Sequence, residues 1–239
     1  MTYVADLTAR EAEIIRLLKI LSSQAGKFVV VGGYAVNALA SHRFSVDCDL
    51  VIAEKDLKLF ESILKKEGYK RRKTRKQLER IYGGKTREYI KLIGGRRVSV
   101  DLFVNSIVCR QTGGEWSYEL IKPNSFESNV IGLSDSAVSL VPKRELLMAT
   151  KIHSGRAADL RDLIMLSEEA NWEVVAKFVA CGEKEKVIKQ LESAIETIGV
   201  KEFPSALRAG FGLRLDVMSF IRRTAEGLNI VKKLLAESF

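Results

Sequence analysis

Residues 32–50, GGYAVNALASHRFSVDCDL, follow the apolar run Phe28-Val29-Val30-Val31, and this stretch decides how the first part of the chain folds. A short continuous apolar run suits a buried strand better than a helix. Gly32-Gly33 interrupts it, and Tyr34 to Ala40 predicts a short helix opening at the glycines. Val46 to Ile52 predicts the next strand, with Asp47 and Asp49 near its start. Alternate residues of a strand face one side, so the two carboxylates project together, about 6.5–7 Å apart along the strand. Cys48 points to the opposite face, where a small apolar residue fits.

A third carboxylate lies further on. Lys85 to Ile93, Gly94-Gly95 and Arg96 to Val104 predict a β-hairpin, because paired glycines tolerate the positive φ of a tight primed turn. Within it, Val98, Val100 and Leu102 alternate with Ser99 and Asp101. If the two strands are neighbours, Asp47, Asp49 and Asp101 converge. Three carboxylates repel one another unless a divalent cation holds them together. Mg²⁺ is bound by a few carboxylates, with substrate phosphates and water completing its shell. Where two ions are held, one activates the attacking oxygen and the other stabilises the leaving one. Glycines before a helix let backbone N–H groups approach a phosphate, and the helix N-terminus favours negative charge. Singly, a Gly-Gly reads as a turn and an Asp-x-Asp as a solvated strand end. Their order and spacing together point to metal-assisted chemistry on a phosphate.

This order of residues resembles the nucleotidyltransferase superfamily with the DNA polymerase β type of catalytic core. Its signature is Gly-Gly, a short helix, Asp-x-Asp on the following strand and a third carboxylate on a later one. Here these are Gly32, Gly33, Asp47, Asp49 and Asp101. Arg43-Phe44-Ser45-Val46-Asp47-Cys48-Asp49 is similar to the Arg-x-Ser-x-Asp-x-Asp of small prokaryotic members, including the abortive-infection toxin type. A second stretch, Lys151 to Leu163, resembles the helix of that group with a Lys, a basic residue and two aspartates near an Arg. From the residues alone, Asp159 and Asp162 share a helix face. Asp159 then reads equally as a first-turn dipole residue, and Asp162 as a partner of Arg156 or Arg161.

The resemblance covers about residues 28–165 and carries several implications. The fold is α/β (α+β): a mixed sheet of the polymerase β type with flanking helices over residues 1–140; the helical bundle over 141–239 is read from the pattern of the chain, since the resemblance does not reach the last seventy or so residues. The reaction is transfer of a nucleoside monophosphate from a triphosphate to a hydroxyl acceptor, releasing pyrophosphate. Asp47 and Asp49 hold two Mg²⁺ ions, with Mn²⁺ as a substitute. Asp101 holds the catalytic ion and helps deprotonate the acceptor. Gly32, Gly33, Arg43, Ser45 and Lys151 hold the nucleotide, and Asp159 or Asp162 supports the site. The toxin-like kin imply an antitoxin partner. The rival readings are a non-catalytic nucleic-acid-binding module on the same fold and a small-molecule (antibiotic) nucleotidyltransferase.

Charge bears on the acceptor. The 239 residues carry a formal charge of +9, while residues 65–97 alone hold fourteen Lys or Arg against three Glu, a net of +11. A solvated basic face is the ordinary reading of such a run. Between two candidate catalytic strands it also suits an anionic partner. RNA, such as a tRNA end, comes first, a protein side chain second, and a cationic drug, which this segment repels, last. No stretch of eighteen apolar residues occurs, so no membrane span is expected. The N-terminus lacks the order of a secretory signal. Three cysteines without metal-ligand spacing (Cys48, Cys109, Cys181) fit a reducing cytoplasm. His42 and His153 are too few for a zinc site, and Ser134, Ser136 and Ser139 have no visible base.

Elsewhere, Thr8-Ala9-Arg10-Glu11 reads as a capping box opening a helix to about Ser22. Lys55 to Glu67 predicts a helix stopped by Gly68. Asn105 to Val141 reads as loop-rich, with a short strand at Asn129 to Leu133. Pro142 marks a helix start. Beyond Gly155 the pattern is helical throughout, with segments at Ala157–Glu169, Trp172–Ala180, Lys184–Ile198 and two within 203–238.

Overall fold

In the computed structural model, which describes residues 3–45, 47–72, 81–211 and 217–237, the chain divides into two units. One comprises Met1–Ile107 with Trp116–Lys143, the other Val108–Glu115 with Arg144–Phe239. Val46 and residues 73–80 of the basic segment lie outside the described residues.

The first unit is built on one mixed sheet, as expected. Its strands are β1 (Phe28–Val31), β2 (Asp47–Ile52), β3 (Lys70–Arg71), β4 (Tyr82–Ile93), β5 (Arg96–Cys109), β6 (Glu115–Ser117), β7 (Ser125–Ile131) and β8 (Ser136–Pro142). Their order is β3-β4-β5-β2-β1-β8-β7, with β6 also on β5. The central position of β1 follows from its sequence: all four residues are buried. Strand β2 runs antiparallel to β1 and parallel to β5, pairing Asp47 with Ser99 and Asp49 with Asp101. A continuous buried run from Val98 to Val104 makes β5 equally central. Gly94 and Gly95, with φ of 55° and 78°, form the expected primed turn between β4 and β5.

Helix α1 (Tyr3–Gln24) buries Ile14, Ile15, Leu18 and Leu21 as the spacing predicts, but it begins five residues before Thr8. The capping box therefore does not form. Inside a helix the amides already bond backward, so no orphan donor awaits Thr8. Glu11 instead turns inward at 1% exposure, accepts from the backbone N–H of Leu133 at 2.6 Å and pairs with His42 Nε2 at 2.8 Å. Helices α2 (Gly32–Leu39) and α3 (Leu57–Lys66) fall where expected, and α3 ends at Gly68 with φ 83°. The short helix α4 (Tyr118–Ile121) is capped by Ser117.

The loop-rich reading of 105–141 is corrected. Strand β5 runs on to Cys109, and β7 pairs with β8 along all seven residues, from Ser125↔Pro142 to Ile131↔Ser136. Pro142 closes β8 rather than opening a helix. A strand end tolerates the missing N–H, and helix α5 starts two residues later at Arg144.

The second unit holds α5 (Arg144–Ser154), α6 (Ala157–Leu166), α7 (Trp172–Val179), α8 (Lys184–Gly199), α9 (Phe203–Phe211) and α10 (Val217–Glu237). Gly227 lets α10 approach α7 closely: a Cβ there would stand 1.9 Å from Trp172 Cε2. His153 on α5 is fully buried. Its Nε2 lies 2.9 Å from the Val179 carbonyl and its Nδ1 2.5 Å from Thr112 Oγ1. A carbonyl only accepts, so Nε2 carries the proton and Nδ1 receives the hydroxyl. Burial pushes the imidazole down to about 4, against a smaller opposing pull from the Val179 bond. A histidine neutral when folded and near 6.5 when unfolded gives stability that is present above pH 6.5 and lost as pH falls toward 4. Between pH 7.5 and 5 the loss is about 2 kcal/mol, in a window above the ordinary carboxylate range. Urea midpoints across that window should fall for the natural chain and stay nearly level for His153→Gln.

Candidate active site

The site starts where β1 ends. Gly32 turns the chain with φ 65°, and a Cβ on it would lie 2.0 Å from Asp49 Oδ2. Both the left-handed backbone and the carboxylate exclude a side chain at this position. At Gly33 a Cβ would stand 2.9 Å from Ser45 Oγ and 3.0 Å from Arg43 Nη2. The first turn of α2 is thus bare backbone, with a carboxylate, a guanidinium and a hydroxyl drawn against it.

Helix α2 also holds the loop that brings Arg43 and Ser45 there. Asn37, 1% exposed, donates from Nδ2 to the Arg43 carbonyl at 2.8 Å and accepts from the Arg43 N–H at 3.1 Å. Tyr34, one turn earlier on the same face, donates its hydroxyl to the Ser45 carbonyl at 2.8 Å. Ser45 in turn donates to the Asp47 carbonyl at 3.2 Å. The clamp role of Asn37 was not visible in the sequence. A helical Asn gives no signal until the loop it bonds is known to fold back.

The register sets Asp49 beside Asp101, with Asp47 two residues along the same strand. Asp49 and Asp101 are register partners on adjacent parallel strands, and Asp47 sits opposite Ser99, whose hydroxyl donates to Asp47 Oδ1. Asp101 is buried, Asp49 half-buried and Asp47 exposed, so the group grades outward to solvent. Beneath it Cys48 is fully buried. Burial first, and then the charges of Asp49, Asp101 and Asp47, push its thiol well up. It is a packing residue and no nucleophile.

Among the described residues, no three His, Cys, Asp or Glu side chains close into a metal cage. A hard cation of the Mg²⁺ kind does not need one, since one or two carboxylates plus substrate phosphate and water suffice. Asp49 and Asp101, with Asp47 at the rim, are oxygen donors of the kind such an ion takes.

Lys151, Asp159 and Asp162 belong to the second unit and engage one another. The Lys151 ammonium, 4% exposed, donates to Asp159 Oδ1 at 2.9 Å and Asp162 Oδ2 at 2.7 Å. Ser154 Oγ and Arg156 Nε bond Asp159 Oδ2 at 2.7 Å and 2.5 Å. Burial alone would raise the Asp159 carboxyl, but the charge of Lys151, then Arg156, holds it well below the usual range. Arg156 is thus a partner of Asp159, and Asp162 bonds Lys151. The ammonium that the resemblance gives to phosphates is occupied by two buried carboxylates.

Several cations of the basic segment are also paired: Lys91 with Glu13 at 2.9 Å, Arg72 with Glu88 at 3.4 Å, and Lys85 with Glu54. His42 pairs with Glu11.

Changing Gly32 to Ala should cost about 1–2 kcal/mol of stability for the left-handed backbone, measured by urea unfolding, and should displace the Asp49 carboxylate. Adding Asp49→Ala removes the clash but not the backbone strain, so the double variant should recover part of the loss only.

No family model matches the chain, and no curated protein matches it. Two solved structures are similar along most of its length. One is JHP933 from Helicobacter pylori, at 15% identity and a TM-score of 0.49, covering 95% of this chain and 92% of that one. The other is described as a "putative nucleotidyltransferase from H. pylori", with the same identity and TM-score, covering 95% of each chain. Likeness at this level transfers no residue role. Among the described residues, no helix is long and apolar enough to cross a membrane.

Proposed function

We propose that the chain is a metal-dependent nucleotidyltransferase that moves a nucleoside monophosphate from a triphosphate to a hydroxyl acceptor, releasing pyrophosphate. One observation carries the reading: Asp49 and Asp101 are paired in register on parallel strands, and the Asp49 carboxylate lies against the bare backbone of Gly32 at the start of α2. Acid groups and a side-chain-free helix start meet at one point, which a plain turn or a solvated strand end does not require.

In this reading the amides of the first α2 turn, with Arg43 and Ser45, hold the triphosphate. Asp47, Asp49 and Asp101 would hold Mg²⁺, which when bound offsets phosphate charge and favours the ionised acceptor oxygen. Asp101, the most buried of the three, takes the acceptor proton. The acceptor oxygen bonds the α-phosphorus, the bond to the bridging oxygen breaks, and pyrophosphate leaves in line. Lys151 is left out of the phosphate contacts. The net +11 of residues 65–97 supports a polyanionic acceptor such as an RNA end, ahead of a protein side chain. A toxin-like role in the cytoplasm, with an antitoxin partner, extends the same reading.

The test is to incubate the protein with Mg²⁺ or Mn²⁺, each α-labelled nucleoside triphosphate in turn, and RNA or lysate. The expected result is a labelled macromolecule and released pyrophosphate. Metal-independent RNA binding with no pyrophosphate from any nucleotide would replace this reading with a binding module.

A further inference from the structure

We propose that the first unit carries a second small-molecule site, for an anion with a flat apolar body, at the opposite end of β2 from the carboxylates. A pocket of about 690 Å³ lies there, between Ala53, Glu54 and Lys55 after β2, Asn105 in β5, and the α4 segment with Tyr118 and Lys122. That volume falls within the range of small-molecule sites. Ala53 is four residues beyond Asp49, or about 13 Å along the strand, so the pocket is separate from the carboxylate group. It opens where β2 ends beside Asn105, four residues before β5 itself ends at Cys109.

The walls are fixed. Asn105 has φ 69°, the one positive value among the described non-glycine residues. It accepts from the Glu54 N–H at 2.7 Å and donates to Glu54 Oε2 at 3.1 Å. Backbone strain of this kind persists where the surroundings over-determine it, and it gathers at ligand sites. The Tyr118 hydroxyl donates to the Lys27 carbonyl at 3.0 Å, which anchors the ring with Ala53 and Pro123 as the apolar lining.

The charges select the ligand. Glu54 is already matched by Lys85 as well as by Asn105. Lys55 and Lys122 make no ion pair among the described residues, and Lys122 Nζ stands 5.7 Å from the Tyr118 ring centroid. Glu119, exposed at the rim, is the one lining acid without a cation. Two lysines against one acid leave the pocket cationic over an apolar floor. A phosphate or carboxylate on a ring-sized body matches both parts.

The experiment titrates phenyl phosphate into the full chain by calorimetry, with benzoate, inorganic phosphate and phenol as separate arms. Phenyl phosphate or benzoate should bind saturably and at least ten-fold more tightly than inorganic phosphate or phenol; which of the two is tighter identifies the anionic group. Lys55→Ala with Lys122→Ala should weaken that binding at least five-fold, and Asp49→Asn should leave it unchanged. The proposal is overturned by the absence of saturable binding, by equal affinity for inorganic phosphate, by indifference to the two lysines, or by loss of binding in Asp49→Asn. No nucleotide enters the test, so its outcome is independent of the transferase reading.

Discussion

Lys151→Met lowers the unfolding free energy by about 3–5 kcal/mol, the range found when one partner of a buried ion pair is removed. Methionine keeps the length and packing of the lysine stem, so the loss comes from charge. Asp159 and Asp162 stay buried at 1% and 0% exposure. Ser154 and Arg156 still bond Asp159, but the two shortest contacts to the ammonium are gone. The pH dependence gives the mechanism away. In the natural chain the Asp159 carboxyl is held low, so its contribution is present above the unfolded carboxylate value and fades only as pH falls through the folded one. Without Lys151, burial favours the neutral acids, and the deficit should shrink as pH falls below about 5. Asp162→Leu added to Lys151→Met should restore part of the stability at pH 7.5. Urea unfolding followed by circular dichroism measures all three. If Lys151→Met instead kept its midpoint and lost affinity for nucleoside triphosphate, the lysine would return to the phosphate contacts.

What the sequence disclosed, and what it withheld, divides along one physical line. Alternation along Asp47-Cys48-Asp49 and Val98–Asp101 settles which side chains share a face, so the three carboxylates and the buried Cys48 were legible without coordinates. The glycines were legible as a break in an apolar run, though not as the place where a Cβ would stand 2.0 Å from Asp49 Oδ2, which makes Gly32 necessary. Long-range pairing was not legible. Glu11 looked like a capping residue because its partners, His42 and the Leu133 amide, lie 31 and 122 residues away. Strand β7, SFESNVI, carries polar residues on its open side and so resembled a loop until β8 paired with it. The bonds of Lys151 to Asp159 and Asp162 were not legible either, because a motif records which residues stand near one another in sequence, not which of them are bonded.

Asp49→Asn should reduce nucleotide transfer at least a thousand-fold, about 4 kcal/mol of transition-state stabilisation, while the fold stays intact. The amide keeps the size of the carboxylate and its place against Gly32. It loses the negative charge that a hard cation requires of its oxygen donors. Stability should hold or rise, because the change removes one of three carboxylates crowded over Cys48. Falling activity beside unchanged or higher stability marks a group kept for chemistry rather than for folding. Asp47→Asn should behave alike. Ser99→Ala, which only frees Asp47 Oδ1 from its hydroxyl partner, should cost about ten-fold, as expected for one lost hydrogen bond. Transfer is read as labelled product per unit time at saturating triphosphate, and stability as a urea midpoint on the same preparations. An Asp49→Asn protein that retained a tenth of the natural rate would remove this carboxylate from the reaction. The Gly32 turn would then be left as a structural corner.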